Sequence, residues 1–245
     1  MNFSFFNKTI KPDLSFLTVD MHSHLLPGID DGLKTVEDSV IFIKELYALG
    51  YRKLICTPHI LAGIHDNTPE TILPALALVR QALAAEDIQM TVDAAAEYMI
   101  DREFGELIKE DKQLLTFGKN YILVEMSYVA ASPNLHEVLF ALQMKGYNPI
   151  MAHPERYNFY HDDFEKYEQL KDRNVLFQVN ILSLLGYYGK PVKKTAEKLI
   201  EKGMVNFIGT DMHHQTHLNA TKQFVSSKEF YKLAEKIQLL NASLL

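Results

Sequence analysis

The sequence predicts a parallel α/β architecture, with a closed barrel of seven strand–helix units preferred to an open doubly wound sheet. Three observations carry this prediction. Short apolar runs rich in β-branched and aromatic residues alternate with longer amphipathic runs. Such alternation calls for parallel strands, because a strand that returns in the same direction needs a helical crossover. No Pro/Gly/Ser-rich linker and no shift in composition divides the 245 residues, so they read as one domain, with residues 1–15 as an arm before the first strand.

The strand-like runs are Phe16 to Val19, Lys53 to Cys56, Met90 to Ala95, Tyr121 to Val124, Pro149 to Met151, Val175 to Val179 and Val205 to Ile208. Between them the spacing predicts helices. The first covers Val36 to Leu49, with Thr35 and Asp38 at capping-box spacing, although Asp stands where Glu or Gln is usual, and Gly50 ends it. Others fall at Glu70–Ala85, Leu135–Lys145, Phe164–Asp172, Val192–Lys202 and Lys228–Leu240, with Gly146 and Gly203 at expected C-terminal caps. A further weakly patterned helix is expected at Glu103–Lys109.

Bulk properties narrow the function classes. A net charge of -6 without a basic stretch argues against a nucleic-acid surface. No run of about 18 apolar residues is present, so no membrane span is expected. The opening MNFSFFNKTIKPDLS has neither a sustained apolar stretch nor a small-residue cleavage site. The single cysteine, Cys56, leaves no internal disulfide, and the whole fits a cytoplasmic address.

The polar residues that follow the strands carry the chemistry. Asp20, His22, His24, Asp30 and Asp31 follow the first, and His59 the second. Glu97, Glu125, His153 and Asn180 end the next four, and Asp211 and His213 the last. All strand C-termini of a parallel barrel open on one face, so these residues should meet in one pocket. Glu97 in AAAEY and Glu125 in ILVEM interrupt strongly apolar runs, and a buried carboxylate needs a partner. A shared metal cluster supplies one for all of them. The candidate ligands are His22, His24, Asp31, His59, Glu97, Glu125, His153, Asp211 and His213. Imidazoles and carboxylates without thiolate suit Mn, Fe or Zn, and nine donors suit two or three ions. Four of the nine are carboxylates, so three divalent ions would leave about two positive charges, enough for a phosphate dianion. Arg156, just after His153, adds a forked donor for phosphate oxygens; a salt bridge to Glu155 is its structural alternative.

DMHSH at 20–24 resembles the opening motif of the PHP (polymerase and histidinol phosphatase) superfamily. PGIDDG at 27–32, TPH at 57–59, AHPER at 152–156, QVN at 178–180 with SLLGYYGK at 183–190, and GTDMH at 209–213 are similar to the bacterial PHP-type protein-tyrosine phosphatases of capsule and exopolysaccharide biosynthesis. The resemblance spans about Leu17 to His214. It implies a distorted (β/α)7 barrel of the PHP type and a trinuclear, manganese-preferring centre on the nine positions above. It also implies a substrate: the phosphotyrosine-bearing C-terminal tail of a membrane-associated bacterial tyrosine autokinase that controls polysaccharide export. Two stretches depart from the pattern. The family often carries an arginine shortly after the final D-x-H, where this chain reads HHQTHLNATK, leaving His214, His217 and Lys222 as candidates for that role. The loop after TPH reads GIHDN, with His65 where an aromatic residue is common.

Asp20 is expected to orient a ligating histidine, and Asn180 to hydrogen-bond phosphate or a ligand. A tyrosine phenolate, with a phenol pKa of about 10, leaves with little help from a general acid, though His65 or His214 could serve as one. The thiolate route of other tyrosine phosphatases needs C-x5-R, and position 62 after Cys56 is Ala62. The rival readings are a PHP-family phosphatase of a small monoester resembling histidinol phosphate, an exonuclease or phosphodiesterase site, and a catalytically silent module that binds the kinase tail. The sequence leaves the oligomeric state open.

Overall fold

The computed structural model describes residues 13–227, 230–231 and 237–245. Nine parallel strands alternate with helices. The strands are β1 (Val19–Asp20), β2 (Lys53–Cys56), β3 (His59–Ile60), β4 (Thr91–Ala94), β5 (Glu97–Met99), β6 (Tyr121–Glu125), β7 (Asn148–Ala152), β8 (Leu176–Asn180) and β9 (Phe207–Gly209). The helices are α1 (Val36–Ala48), α2 (Pro69–Ala85), α3 (Arg102–Lys109), α4 (Leu135–Met144), α5 (Glu165–Asp172), α6 (Ile181–Leu185), α7 (Lys190–Glu201) and α8 (Gln215–Val225).

Regular pairing forms two parallel sheets, β1-β2-β4 and β3-β5-β6-β7-β8-β9. Beyond the expected strands at 53–56 and 90–95, the chain resumes after Thr57-Pro58 and Ala95-Ala96 as the short strands β3 and β5, so the nine strands make seven strand positions. Between β9 and β1 no ladder forms. A parallel bridge between Ser23 and Met212 spans that seam, with hydrogen bonds from Asp211 N–H to His22 O (2.8 Å) and from His24 N–H to Met212 O (2.9 Å). Lower down, the Asn241 side chain accepts from Ile208 N–H (3.0 Å) and donates to the carbonyls of Val19 (2.9 Å) and Ile208 (2.7 Å). The expected distorted barrel thus consists of two parallel sheets with irregular joints.

One small apolar cluster fills the interior. Val19, Met21, Ile55, Ala95, Tyr121, Leu123, Ile150, Ala152 and Phe207, with Leu176 alongside, come from all seven strand positions, and Phe117 and Leu244 complete it. The larger cluster lies between strands and helices, where Ile43, Leu46, Val79, Leu139 and Leu199 turn the apolar faces of α1, α2, α4 and α7 inward.

Local chemistry explains where elements start. Thr35 Oγ1 accepts from Asp38 N–H at 3.1 Å, and its hydroxyl donates to the Asp38 carboxylate at 2.9 Å, so Asp serves a modified cap. Pro69 opens α2, where its missing N–H costs nothing. Gly50, Gly146 and Gly203 follow their helices in the left-handed region, as expected. Most boundaries differ from the reading of the sequence by one or two residues, and larger differences fall at the first strand and at two helices. The first strand begins at Val19, not Phe16, because Asp13 caps a 3-10 turn over Leu14–Phe16 and Thr18 adopts φ 63°. Helices α6 and α8 had no counterpart in the sequence reading, which assigned no element to 181–185 or 215–225. The helix expected at 228–240 and the arm at 1–15 lie largely outside the described residues.

Candidate metal centre

All nine candidate ligands converge at the C-terminal mouth of the strands. Glu97 sits at the middle, wholly buried at the start of β5. Its Oε2 lies 3.2 Å from His22 Nε2, 3.5 Å from His24 Nε2 and 3.1 Å from His59 Nδ1, and its Oε1 lies 3.0 Å from His153 Nε2. Glu125, closing β6, stands 2.9 Å from His59 Nδ1. Across the seam, Asp211 Oδ1 is 3.5 Å from His22 Nε2, 3.4 Å from His24 Nε2 and 3.4 Å from His213 Nδ1. Asp31, half exposed at the rim, is 3.3 Å from His213 Nε2 and 3.6 Å from His59 Nε2.

These separations fit donors sharing a metal ion. Two bonds of about 2.1 Å at tetrahedral or octahedral angles place their donor atoms roughly 3.0–3.4 Å apart. Four overlapping groups bring their donor atoms within 4.8 Å of one another: His24, Asp31, His59 and His213; His22, His24 and Asp211; His22, Glu97 and His153; and His59, Glu97 and Glu125. Two buried donor atoms, Glu97 Oε2 and His59 Nδ1, lack an acceptable hydrogen bond, so each has a lone pair or proton position that hydrogen bonding does not fill. The donor set and these atoms fit divalent cations.

The electrostatics describe the same cluster carrying protons. Burial alone would raise the Glu97 carboxyl, yet His22 and His59 hold it well below the usual carboxylate range. Asp211, also buried, is held down by His22 and His213. Burial and His24 both act to lower His59, but Glu97 and Glu125 raise it to about 10. His24 is likewise raised against burial, chiefly by Asp30.

The strands set this geometry through their period of two. Ala95 faces the barrel interior and so Glu97 faces the mouth; Leu123 does the same for Glu125, and Phe207 for Asp211. His153 does not follow in register after Ala152. It takes φ 32°, and Asp211 takes φ 50°, a left-handed conformation that side chains rarely adopt. Gly209 leaves room beneath the cluster, because a Cβ there would stand 2.7 Å from the Cβ of His22.

The supporting residues correct one expectation and add two. Asp20 touches no histidine ring. Its carboxylate accepts from Thr210 N–H (2.9 Å) and Thr210 Oγ1–H (2.5 Å), and weakly from the His22 backbone, so it fastens the seam. Burial pushes this carboxyl up to about 6. The residue that orients His24 is Asp30, with Oδ2 2.8 Å from Nδ1. Gln178 does the same for His22, with Oε1 2.8 Å from Nδ1, and accepts from His153 N–H at 3.2 Å. Both were within reach of the sequence: Asp30 precedes Asp31 in the same loop, and Gln178 shares a strand face with Asn180. Asn180 Nδ2 donates to Asp211 Oδ2 at 2.6 Å and its Oδ1 accepts from Gln178.

A cavity of about 250 Å³ opens over the cluster, lined by Asp31, His59, His153, Asp211, His213, Arg156 and others. Arg156 Nη1 donates to Asp211 Oδ2 at 2.9 Å. Glu155 turns the other way, accepting from Asn180 N–H (2.9 Å) and Ser183 Oγ–H (2.6 Å), so the Arg156–Glu155 salt bridge does not form. His214 and His217 also line the cavity, whereas Lys222 pairs with Glu45 at 2.7 Å. His65 stacks on His59 with ring centres 5.5 Å apart.

Comparison with known proteins agrees with this arrangement. The profile for capsular polysaccharide synthesis, CpsB/CapC, matches residues 18–245. The tyrosine-protein phosphatase YwqE of Bacillus subtilis is 30% identical over 233 residues, 91% of each chain. The tyrosine-protein phosphatase CpsB of Streptococcus agalactiae serotype V is 27% identical over 202 residues, covering 80% of this chain and 83% of that one. A solved structure from work on YwqE of Bacillus subtilis and CpsB of Streptococcus pneumoniae, described as unique metal-dependent tyrosine phosphatases, superposes with a TM-score of 0.78. It is 28% identical and covers 93% of this chain and 94% of that one.

Proposed function

Because the chain belongs to the CpsB/CapC family of capsular polysaccharide synthesis, we propose that it is a metal-dependent phosphomonoesterase that removes phosphate from protein tyrosine. The observation that carries this reading is the convergence of nine imidazole and carboxylate donors on one open cavity beside a guanidinium.

His22, His24, Asp31, His59, Glu97, Glu125, His153, Asp211 and His213 would hold divalent ions, three on the charge count and manganese in our reading. Such ions supply a water acidic enough to lose its proton near neutral pH and positive charge against the phosphate oxygens. The chain's own residues do the rest. Asp30 and Gln178 fix the ring orientations of His24 and His22, which keeps Nε2 of each pointed at Glu97 and Asp211. Arg156 binds phosphate oxygens and takes up charge as it redistributes in the transition state. Asn180 and Arg156 both occupy Asp211 Oδ2, so only Oδ1 faces the imidazoles. The phenolate leaves unaided or takes a proton from His214 at the rim.

The substrate is a phosphotyrosine on a protein segment, the C-terminal tail of a bacterial tyrosine kinase in the reading we favour. The open mouth supports it: Asp31 and Tyr128 are both well exposed at the rim, leaving room for a polypeptide. The test is to strip the metal, restore Mn, and compare phosphate release from phosphotyrosine and phosphoserine peptides and from histidinol phosphate. Release at least tenfold faster from phosphotyrosine supports the proposal. Equal rates, or preference for the small monoester, reject it.

A further inference from the structure

We propose that Tyr128 and Tyr188 are positioning residues that clamp the Arg156 guanidinium flat, so that its free edge is presented to the phosphate. The inference rests on the phosphatase reading above and adds to it how the anion is gripped.

Three neighbouring strands build the clamp. Arg156 follows β7, Tyr128 follows β6 on one side, and Tyr188 lies beyond α6 after β8 on the other. The guanidinium carbon stands 4.5 Å from the Tyr128 ring centre and 4.3 Å from that of Tyr188. Both distances lie within the range of cation–π attraction, and the guanidinium carbon stands over both rings. The rings are themselves held. Tyr128 packs against His153 (5.7 Å between centres) and Tyr157 (6.1 Å), and His217 meets Tyr188 edge-on at 6.3 Å.

Stacking fixes what remains exposed. In the proposed clamp the two rings cover the two faces of the planar guanidinium, which then offers only its N–H edges. One edge is spent on Asp211 Oδ2, the only hydrogen bond the guanidinium makes among the described residues. The rings attract the cation without neutralising it, and Glu155, the adjacent acid, is directed to Asn180 and Ser183. Arg156, Tyr128 and Tyr188 all line the cavity over the metal centre. A lysine could not occupy this slot in the same way, because it has no flat faces.

The experiment measures inorganic phosphate binding to Mn-reconstituted protein by calorimetry, which does not depend on turnover. Tyr128→Leu, Tyr188→Leu and their Phe counterparts are compared in the wild-type and Arg156→Ala backgrounds, with bound metal quantified in each. The Leu substitutions should weaken phosphate binding by about tenfold each with metal content unchanged. The Phe substitutions, which keep the ring, should recover most of that loss, and in the Arg156→Ala background the Leu substitutions should have no further effect. Loss in the Phe variants equal to that in the Leu variants overturns the clamp, as does a Leu effect that persists without Arg156. Phosphate binding that follows this pattern in a protein that hydrolyses no phosphotyrosine would uphold the clamp and reject the assigned function separately.

Discussion

The two ends of the barrel interior are built from the same strands and behave as opposites. At the base, alternate residues of seven strand positions are apolar and pack into a small dry cluster. At the mouth, one or two steps further along the same faces, stand charges: Ile55 leads to His59, Ala95 to Glu97, Leu123 to Glu125 and Phe207 to Asp211. The base stabilises itself by excluding water. The mouth holds acids and imidazoles, with Glu97 wholly buried, which would be costly unless they are paired or bind metal. The lesson is that the base supplies the rigidity and the mouth uses it, so substitutions at the two ends should separate stability from activity.

The sharpest break is at Glu97. Glu97→Gln should lower turnover by more than roughly a hundredfold, beyond the cost of losing an outer partner, while the metal-free protein keeps its far-UV circular dichroism. His59→Ala should behave alike, and full activity in either variant removes that residue from the metal centre. At the opposite end, Leu123→Ala should cost about 2–5 kcal/mol of stability in chemical denaturation, with turnover at low temperature preserved. If Leu123→Ala removes activity as completely as Glu97→Gln does, the division between base and mouth is wrong. A smaller effect tests the supports: Asp30→Asn or Gln178→Leu should reduce metal affinity or turnover by about 10–100-fold, measured by competition with a chelator.

The gentlest probe is pH. In the metal-free cluster burial and His24 lower His59, but Glu97 and Glu125 raise it to about 10, so it holds a proton at neutral pH. Metal binding must displace that proton, so affinity rises with pH through the neutral range up to about 10 and falls as acid is added. Calorimetry in buffers of different ionisation enthalpy should register net proton release at pH 7. Proton uptake, or pH-independent affinity, would show that the cluster is not the binding site.

How much of this was legible follows from what each feature depends on. The candidate donors were, because a His or Glu at the end of an apolar strand stands out against its neighbours. Their convergence was too, since parallel strands share one mouth. The irregular joints were not: the breaks at Thr57-Pro58 and Ala95-Ala96 depend on how the barrel closes, which is a tertiary property. Asp20 was misassigned because a carboxylate two residues before a histidine has the same spacing whether it meets the ring or the backbone. The aromatic walls of Arg156 were equally hidden, because Tyr128 and Tyr188 lie 28 and 32 positions from it and only strand order brings them together.

The seam between β9 and β1 has a consequence for how the protein comes into being. Asp20 and Thr210 meet across 190 positions and Asn241 and Val19 across 222, so these are contacts of high sequence separation that cost the most chain entropy to form. His22 and His24 reach Asp211 only across this same seam. The candidate metal centre is therefore complete only when this seam is closed: a chain whose first and last strands have not met lacks the Asp211 side of the donor set.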